Sequence, residues 1–222
     1  MDHPRRGDAR CAAAEHDVRM ILIVAGVSGS GKTTVGAMLA GHLHWAFADG
    51  DDFHPAANIE KMRAGIPLTD ADRWPWLRAI AAWMNERIAH HEAAVIPCSA
   101  LKRSYRDTLL TGRPGARLVF LAVDPEVLAE RLAARYAHFF PAQLLNSQLD
   151  ALEPPAPDEN MVTVVEHAAD QPADTVANIV ALLWPGDGPG TDISGTSGGA
   201  RPGAAEGKPH PHPAGSQRSY RP

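Results

Sequence analysis

Residues Gly26-Val27-Ser28-Gly29-Ser30-Gly31-Lys32-Thr33 follow the pattern G-x-x-x-x-G-K-[ST]. They stand between an apolar run, Ile21 to Ala25, and an amphipathic stretch, Lys32 to Leu43. That placement calls for a strand, a tight loop and a helix in succession. Glycine lets the loop adopt positive φ, so that successive N–H groups point inward, and the start of the helix adds its positive end. A chain built this way cradles a polyphosphate. All eight residues are therefore candidate nucleotide-binding residues, with Thr34 beside them. Lys32 is expected to reach the β- and γ-phosphates and to act in catalysis, while the Thr33 hydroxyl is placed to ligate Mg²⁺. ATP and Mg²⁺ are the implied cofactors.

The Ile21–Ala25 run is apolar on both faces, as a buried parallel strand requires. Similar runs recur at Ala94 to Cys98, Leu118 to Val123 and Met161 to Val165, with a weaker one at Trp45 to Ala48. Amphipathic stretches lie between them at Trp74 to His90, Lys102 to Leu110, Pro125 to Tyr136 and Pro172 to Leu183. The expectation is an α/β fold: five parallel strands with helices on both faces of the sheet. In a chain of 222 residues, 45% hydrophobic, one such domain over residues 20–184 is expected.

A net charge of −5 gives no broad cationic surface for nucleic acid, so a small-molecule substrate is expected. Cys11 and Cys98 lack metal-ligand spacing and imply no disulfide framework. No apolar run approaches the roughly 20 residues needed to span a bilayer, and residues 1–19 lack the apolar middle of a secretory signal. A cytoplasmic protein is expected. Residues 1–19 read as a disordered extension, with Met20 a candidate start. Residues 185–222, with nine glycines and seven prolines, read as a disordered tail.

Open α/β sheets bind ligands beyond the carboxyl ends of their strands. There, after the second strand, comes Asp49-Gly50-Asp51-Asp52-Phe53-His54-Pro55. Phosphoryl transfer to a hydroxyl gains from a carboxylate that accepts the departing proton, and Asp51 is the candidate base. The alternative is that Asp49, Asp51 and Asp52 are turn and cap residues for a helix beginning near Ala57. The third strand ends in Cys98-Ser99-Ala100, with no acid to help hold magnesium, so Asp51 is a further candidate Mg²⁺ ligand beside Thr33. Cys98 reads as a small buried residue with no nucleophilic role.

The segments GDDFHPAANIEKM, GIPLTDADRWPWL, CSALKRSYRD and AHFFPAQLLNSQLDALEPP together resemble the gluconokinase family over nearly all of residues 20–184. The resemblance implies a three-layer α/β/α P-loop kinase, similar to nucleoside monophosphate kinases, with a helical lid over about residues 135–155. It implies transfer of the γ-phosphoryl group of ATP to the 6-hydroxyl of D-gluconate, and it favours a homodimer. By the same resemblance Asp51 and His54 line the acceptor pocket, and Arg73 suits the gluconate carboxylate in a forked pair. Lys102 and Arg106 are expected to add positive potential, and His138 to contact the acceptor. A lid arginine stabilises transferring oxygens, a role expected of Arg135, with Arg131 on the nucleotide. Shikimate, adenylyl sulfate or a nucleoside monophosphate as acceptor are the alternatives, as is a nucleotide-binding protein without turnover.

Overall fold

A computed structural model of the chain describes residues 20–136, 142–159, 161–167 and 170–185. The expectations for residues 1–19 and for the tail beyond Pro185 lie outside these residues. Five strands, β1 (Ile21–Ala25), β2 (Ala46–Phe47), β3 (Ala94–Pro97), β4 (Ala116–Val123) and β5 (Met161–Glu166), form one sheet in the order β2-β3-β1-β4-β5. Every pairing is parallel, with Ile21 opposite Ala94 on one side and Ala116 on the other. The helices are α1 (Lys32–Leu43), α2 (Ala56–Arg63), α3 (Asp70–Ala89), α4 (Arg103–Leu110), α5 (Pro125–Tyr136), α6 (Ala142–Ala151) and α7 (Pro172–Leu183).

The period of two along β1 divides the core. Ile21, Ile23 and Ala25 pack with Trp76, Leu77, Ile80 and Met84 of α3 and with Leu109 of α4. Leu22 and Val24 face the other way, onto Val35 and Leu39 of α1 and Val176, Ile179 and Leu183 of α7. All five β1 side chains are inaccessible to solvent, and each large aliphatic buried this way contributes about 1.5–3 kcal/mol. The three-layer α/β/α arrangement follows directly.

Helix α3 begins at Asp70, four residues before the expected start at Trp74. Thr69 caps it: the Asp72 N–H donates to Thr69 Oγ1 at 3.3 Å and the Thr69 N–H donates to Asp72 Oδ2 at 2.9 Å. This reciprocal cap fixes the boundary, and Pro75 is carried inside the helix. Within the span expected for a lid, α6 packs Leu145 in a small cluster with Val27, Leu101, Leu128 and Leu132. Leu145 therefore shares apolar contacts with Val27 of the glycine-rich loop.

Candidate active site

The glycine-rich loop leaves the carboxyl end of β1 with Gly26, Gly29 and Gly31 at φ 144°, 85° and 86°. A Cβ on Gly26 would lie 2.9 Å from the Leu121 carbonyl oxygen, so this position requires glycine for space as well as for φ. Gly31 stands immediately before α1, and Thr33 is exposed on that helix's first turn. Lys32 Nζ donates to the Val27 carbonyl at 2.8 Å. Ser28 and Gln148 of α6 hold each other twice. The Ser28 N–H donates to Gln148 Oε1 at 2.7 Å, and Gln148 Nε2 donates to Ser28 Oγ at 2.9 Å.

Beside this loop opens a cavity of about 650 Å³ whose wall includes Ser28, Lys32, Asp51, His54, Arg73 and Gln148. Arg63 of α2, which the sequence did not single out, also lines it. Three cationic side chains, Lys32, Arg63 and Arg73, thus share the space with the carboxylate of Asp51. An anionic acceptor fits that balance.

Asp51 arrives on a 3₁₀ turn, Gly50–Phe53, directly after the edge strand β2. Asp49 caps the turn by accepting the Asp51 N–H at 3.0 Å, which makes Asp49 the turn residue of the acidic trio. Gly50 lets the turn approach β3: a Cβ there would lie 2.1 Å from the Pro97 carbonyl oxygen. Asp51 is brought in this way to the end of the strand that lacks its own acid. Cys98 shows the proximity electrostatically. Its thiol is pushed up to about 12, mainly by burial, with the Asp51 charge raising it and that of Lys32 lowering it. A free, fully buried thiol held protonated has no nucleophilic role here.

Trp76 organises the acceptor side, again without a signal in the sequence. Its indole N–H donates to the Gly50 carbonyl at 2.7 Å, and its ring stacks on His54 at 4.2 Å between centroids. Asn58 fixes the tautomer of His54. Asn58 Nδ2 donates to the Asp72 carbonyl at 2.8 Å and lies 3.3 Å from His54 Nδ1. An amide nitrogen only donates, so Nδ1 accepts and the proton sits on Nε2. Burial first, and the Arg73 charge second, lower the His54 pKa from 6.5 to about 4. At neutral pH the ring is an uncharged hydrogen-bond donor on the cavity wall.

A pH dependence follows. The unfolded chain takes up a proton on His54 below pH 6.5 and the folded chain only near 4, so acid favours unfolding across that interval. Stability is full above pH 6.5 and falls by on the order of 3 kcal/mol as pH drops through 4. Denaturant unfolding between pH 7 and 4.5 is expected to show this slope, and His54→Gln is expected to flatten it.

Arg73 and Lys102 have different surroundings. Asp70 accepts two hydrogen bonds from Lys102 Nζ, at 2.9 and 2.8 Å, and one from the Tyr105 hydroxyl at 2.6 Å. The carboxyl pKa of Asp70 is lowered, first by Lys102 and then by Tyr105. Arg73 stands 3.9 Å from the same carboxylate, with its guanidinium 5.9 Å from the Tyr105 ring centroid. Lys102 is thus compensated by Asp70, and of these two cations it is Arg73 that lines the cavity.

Arg106 does not join this group. Its side chain is fully buried and grips Glu159 through both Nε and Nη2, the latter at 2.7 Å. Nη1 donates to the carbonyls of Leu101 at 2.9 Å, Glu153 at 3.0 Å and Ala100 at 3.3 Å. The expected contribution of Arg106 to the acceptor pocket is corrected accordingly: its donors are consumed inside the protein. It ties the loop after β3 to the segment after α6, and it holds Ala100, a non-glycine residue at φ 42°.

A second, smaller hollow of about 210 Å³ lies on the other side of the loop, between Gly29, Gly31, Thr34, Arg131, Glu166 and Asp170. Arg131 donates to Glu166 Oε2 at 2.9 Å there, beside Gly29, Gly31 and Thr34. The side chain of Arg135 and the whole of His138 lie outside the described residues. Among the described residues no group of three or more His, Cys, Asp or Glu side chains is placed to hold a metal ion, and no helix is long and apolar enough to cross a membrane.

Comparison with known proteins agrees with this geometry. The family described as an AAA domain matches residues 21–155. Gluconokinase of Gluconobacter oxydans is 48% identical over 155 residues, covering 68% of this chain and 87% of the relative. Thermoresistant gluconokinase of Escherichia coli is 43% identical, covering 79% and 99% respectively. The crystal structure of a gluconokinase from Sinorhizobium meliloti is 44% identical, with a TM-score of 0.64, covering 75% of this chain and 96% of that one. A phosphate-binding loop, an acceptor cavity at the sheet's carboxyl edge and these identities over nearly whole relatives lead to one conclusion: the chain belongs to the gluconokinase family of P-loop kinases, within the AAA-domain family.

Proposed function

We propose that the protein transfers the γ-phosphoryl group of ATP to the 6-hydroxyl of D-gluconate, giving 6-phosphogluconate and ADP. The observation that carries this reading is the single cavity that runs from Ser28 and Lys32 of the loop to Asp51, His54 and Arg73. Phosphoryl donor and acceptor meet in one space. In that space Asp51 accepts the proton of the 6-hydroxyl as its oxygen bonds to the γ-phosphorus and the bond to ADP breaks. Lys32 neutralises charge on the transferring oxygens. Arg73 pairs with the gluconate carboxylate, and His54 Nε2–H donates to a sugar hydroxyl. Lys102 acts through Asp70 as a positioning residue. Arg131 meets the nucleotide, and family resemblance adds Arg135 on the transferring phosphoryl group and His138 on the acceptor.

The residues present fit Mg²⁺. Magnesium is usually held by one or two carboxylates together with substrate phosphates, not by a cage made of protein alone. Thr33 is exposed on the first turn of α1 and Asp51 lines the cavity beside the loop, a hydroxyl and one carboxylate of the kind that mode uses. Thr33 and Asp51 would hold the ion, which supplies charge neutralisation on the phosphates. On family resemblance the enzyme works as a cytoplasmic homodimer.

A coupled ADP-release assay with Mg-ATP and separate acceptors tests the reading. Turnover with D-gluconate is expected, and none of comparable kcat/KM with shikimate, adenylyl sulfate or nucleoside monophosphates. Turnover confined to one of the other acceptors overturns it.

A further inference from the structure

Arg63 is the cation on the cavity wall to which the proposed reaction gives no task. It closes α2 and shares one face of that helix with Ile59 and Met62: positions i, i+3 and i+4 all line the cavity. Another side of α2 is turned to α3. There Asn58 Nδ2 donates to the Asp72 carbonyl at 2.8 Å, and Lys61 Nζ pairs with the Asp72 carboxylate at 2.7 Å. Lys61, the other basic residue of the last turn, is therefore compensated within the protein. Arg63 has neither an ion-pair nor a hydrogen-bond partner among the described residues. A basic residue in the last turn favours the helix dipole from any face. Arg63 takes the face that opens on the cavity.

Arg73, by contrast, shares its charge. It stands 3.9 Å from the Asp70 carboxylate, which also accepts from Lys102 and Tyr105. The two guanidiniums come from neighbouring helices joined through Lys61 and Asp72, close in sequence to Arg63 and Arg73 respectively. Helix α2 starts just after the turn that carries Asp51 and rises along its axis, so its last residue stands about 10 Å along the helix from the Asp51 end. A sugar acid whose 6-hydroxyl lies at Asp51 carries its carboxylate at the other end of the carbon chain, toward Arg63. We propose that Arg63 is a second guanidinium for the acceptor's carboxylate, beside Arg73, and that it selects sugar acids over neutral polyols of the same length. The inference rests on the acceptor reading proposed above and names what distinguishes the acid from its uncharged counterpart. A carboxylate has room for both cations, since its two oxygens offer about four acceptor positions and one guanidinium fork fills two. A neutral hydroxymethyl group in the same place returns no charge to either.

The test is steady-state kinetics of the full chain with Mg-ATP and D-gluconate, comparing wild type with Arg63→Met and Arg63→Lys. Methionine keeps an apolar stem and a good helix former at an exposed position. Arg63→Met is expected to raise KM for gluconate about tenfold, as one lost charge-assisted hydrogen bond would give, with kcat and KM for Mg-ATP within about twofold of wild type. Arg63→Lys keeps the charge but not the fork, and a rise of about threefold is expected. D-Glucitol has the same carbon chain with a hydroxymethyl group in place of the carboxylate. As a competitive inhibitor it is expected to show the same inhibition constant with all three proteins. An unchanged KM for gluconate in Arg63→Met would make Arg63 a helix-end cation and overturn the proposal. So would a rise in KM for Mg-ATP in its place, or an equal rise in the glucitol constant. If wild type turns over another acceptor and not gluconate, the acceptor reading itself fails, and the inference with it.

Discussion

Replacing Asp51 by Asn is expected to lower kcat with gluconate by about 10² or more while nucleotide affinity stays within a few-fold. The substitution is nearly isosteric, and the turn carrying it is held by other atoms: Asp49 accepts the residue-51 N–H, and Trp76 Nε1 donates to Gly50 O. What is lost is the ability to take a proton. An amide oxygen accepts a hydrogen bond from the attacking hydroxyl but cannot take its proton, so the cost falls on the chemical step and not on ATP binding. Asp51 is also a proposed Mg²⁺ ligand, and the Asn variant separates the two roles. Loss of a ligand raises the magnesium concentration needed for half-maximal rate, whereas loss of the base persists at saturating magnesium. Near-normal kcat would return Asp51 to the turn-and-cap role already filled by Asp49.

Arg106→Leu is expected to destabilise the fold by about 3–5 kcal/mol, because it strands the Glu159 carboxylate in the interior. Both side chains are nearly inaccessible, at 1% and 2% exposure, and Arg106 keeps the Glu159 carboxyl pKa below the usual range. Three backbone carbonyls lose a donor as well, among them that of Ala100, whose φ of 42° needs support from its surroundings. The paired variant Arg106→Leu/Glu159→Leu is expected to recover much of the loss, since removing both charges removes the uncompensated one. Denaturant unfolding of the three variants measures this. A stable Arg106→Leu with a raised KM for gluconate would restore Arg106 to the acceptor pocket.

These two residues show what the sequence reveals and what it hides. The phosphate loop was legible because its chemistry is local: spacing, flanking strand and following helix occupy one short stretch. The five strands were legible because strands buried on both faces must be apolar throughout. The place of Asp51 on the cavity wall was legible through its position after the second strand, although Gly50 is what lets the turn approach the acid-free end of β3. Arg106 misled because its neighbours Lys102 and Arg103 are cationic and stand at the sheet's carboxyl edge. Its true partner, Glu159, lies 53 positions away, and nothing local marks such a pairing. Trp76 and Asn58 escaped for the same reason. An indole in an apolar helix reads as core, and the hydrogen bonds that orient Gly50 and His54 exist only once α2, α3 and the 3₁₀ turn meet. The start of α3 was misplaced because Pro75 reads as a helix start, while the cap between Thr69 and Asp72 lies one turn earlier.

Phosphorus and proton NMR of the product formed from Mg-ATP and D-gluconate tests the central claim most directly. The account predicts a new phosphomonoester resonance coupled to the two C6 methylene protons, appearing in step with ADP. Phosphate attached at any other carbon, or ADP formed with inorganic phosphate and unchanged gluconate, would contradict it.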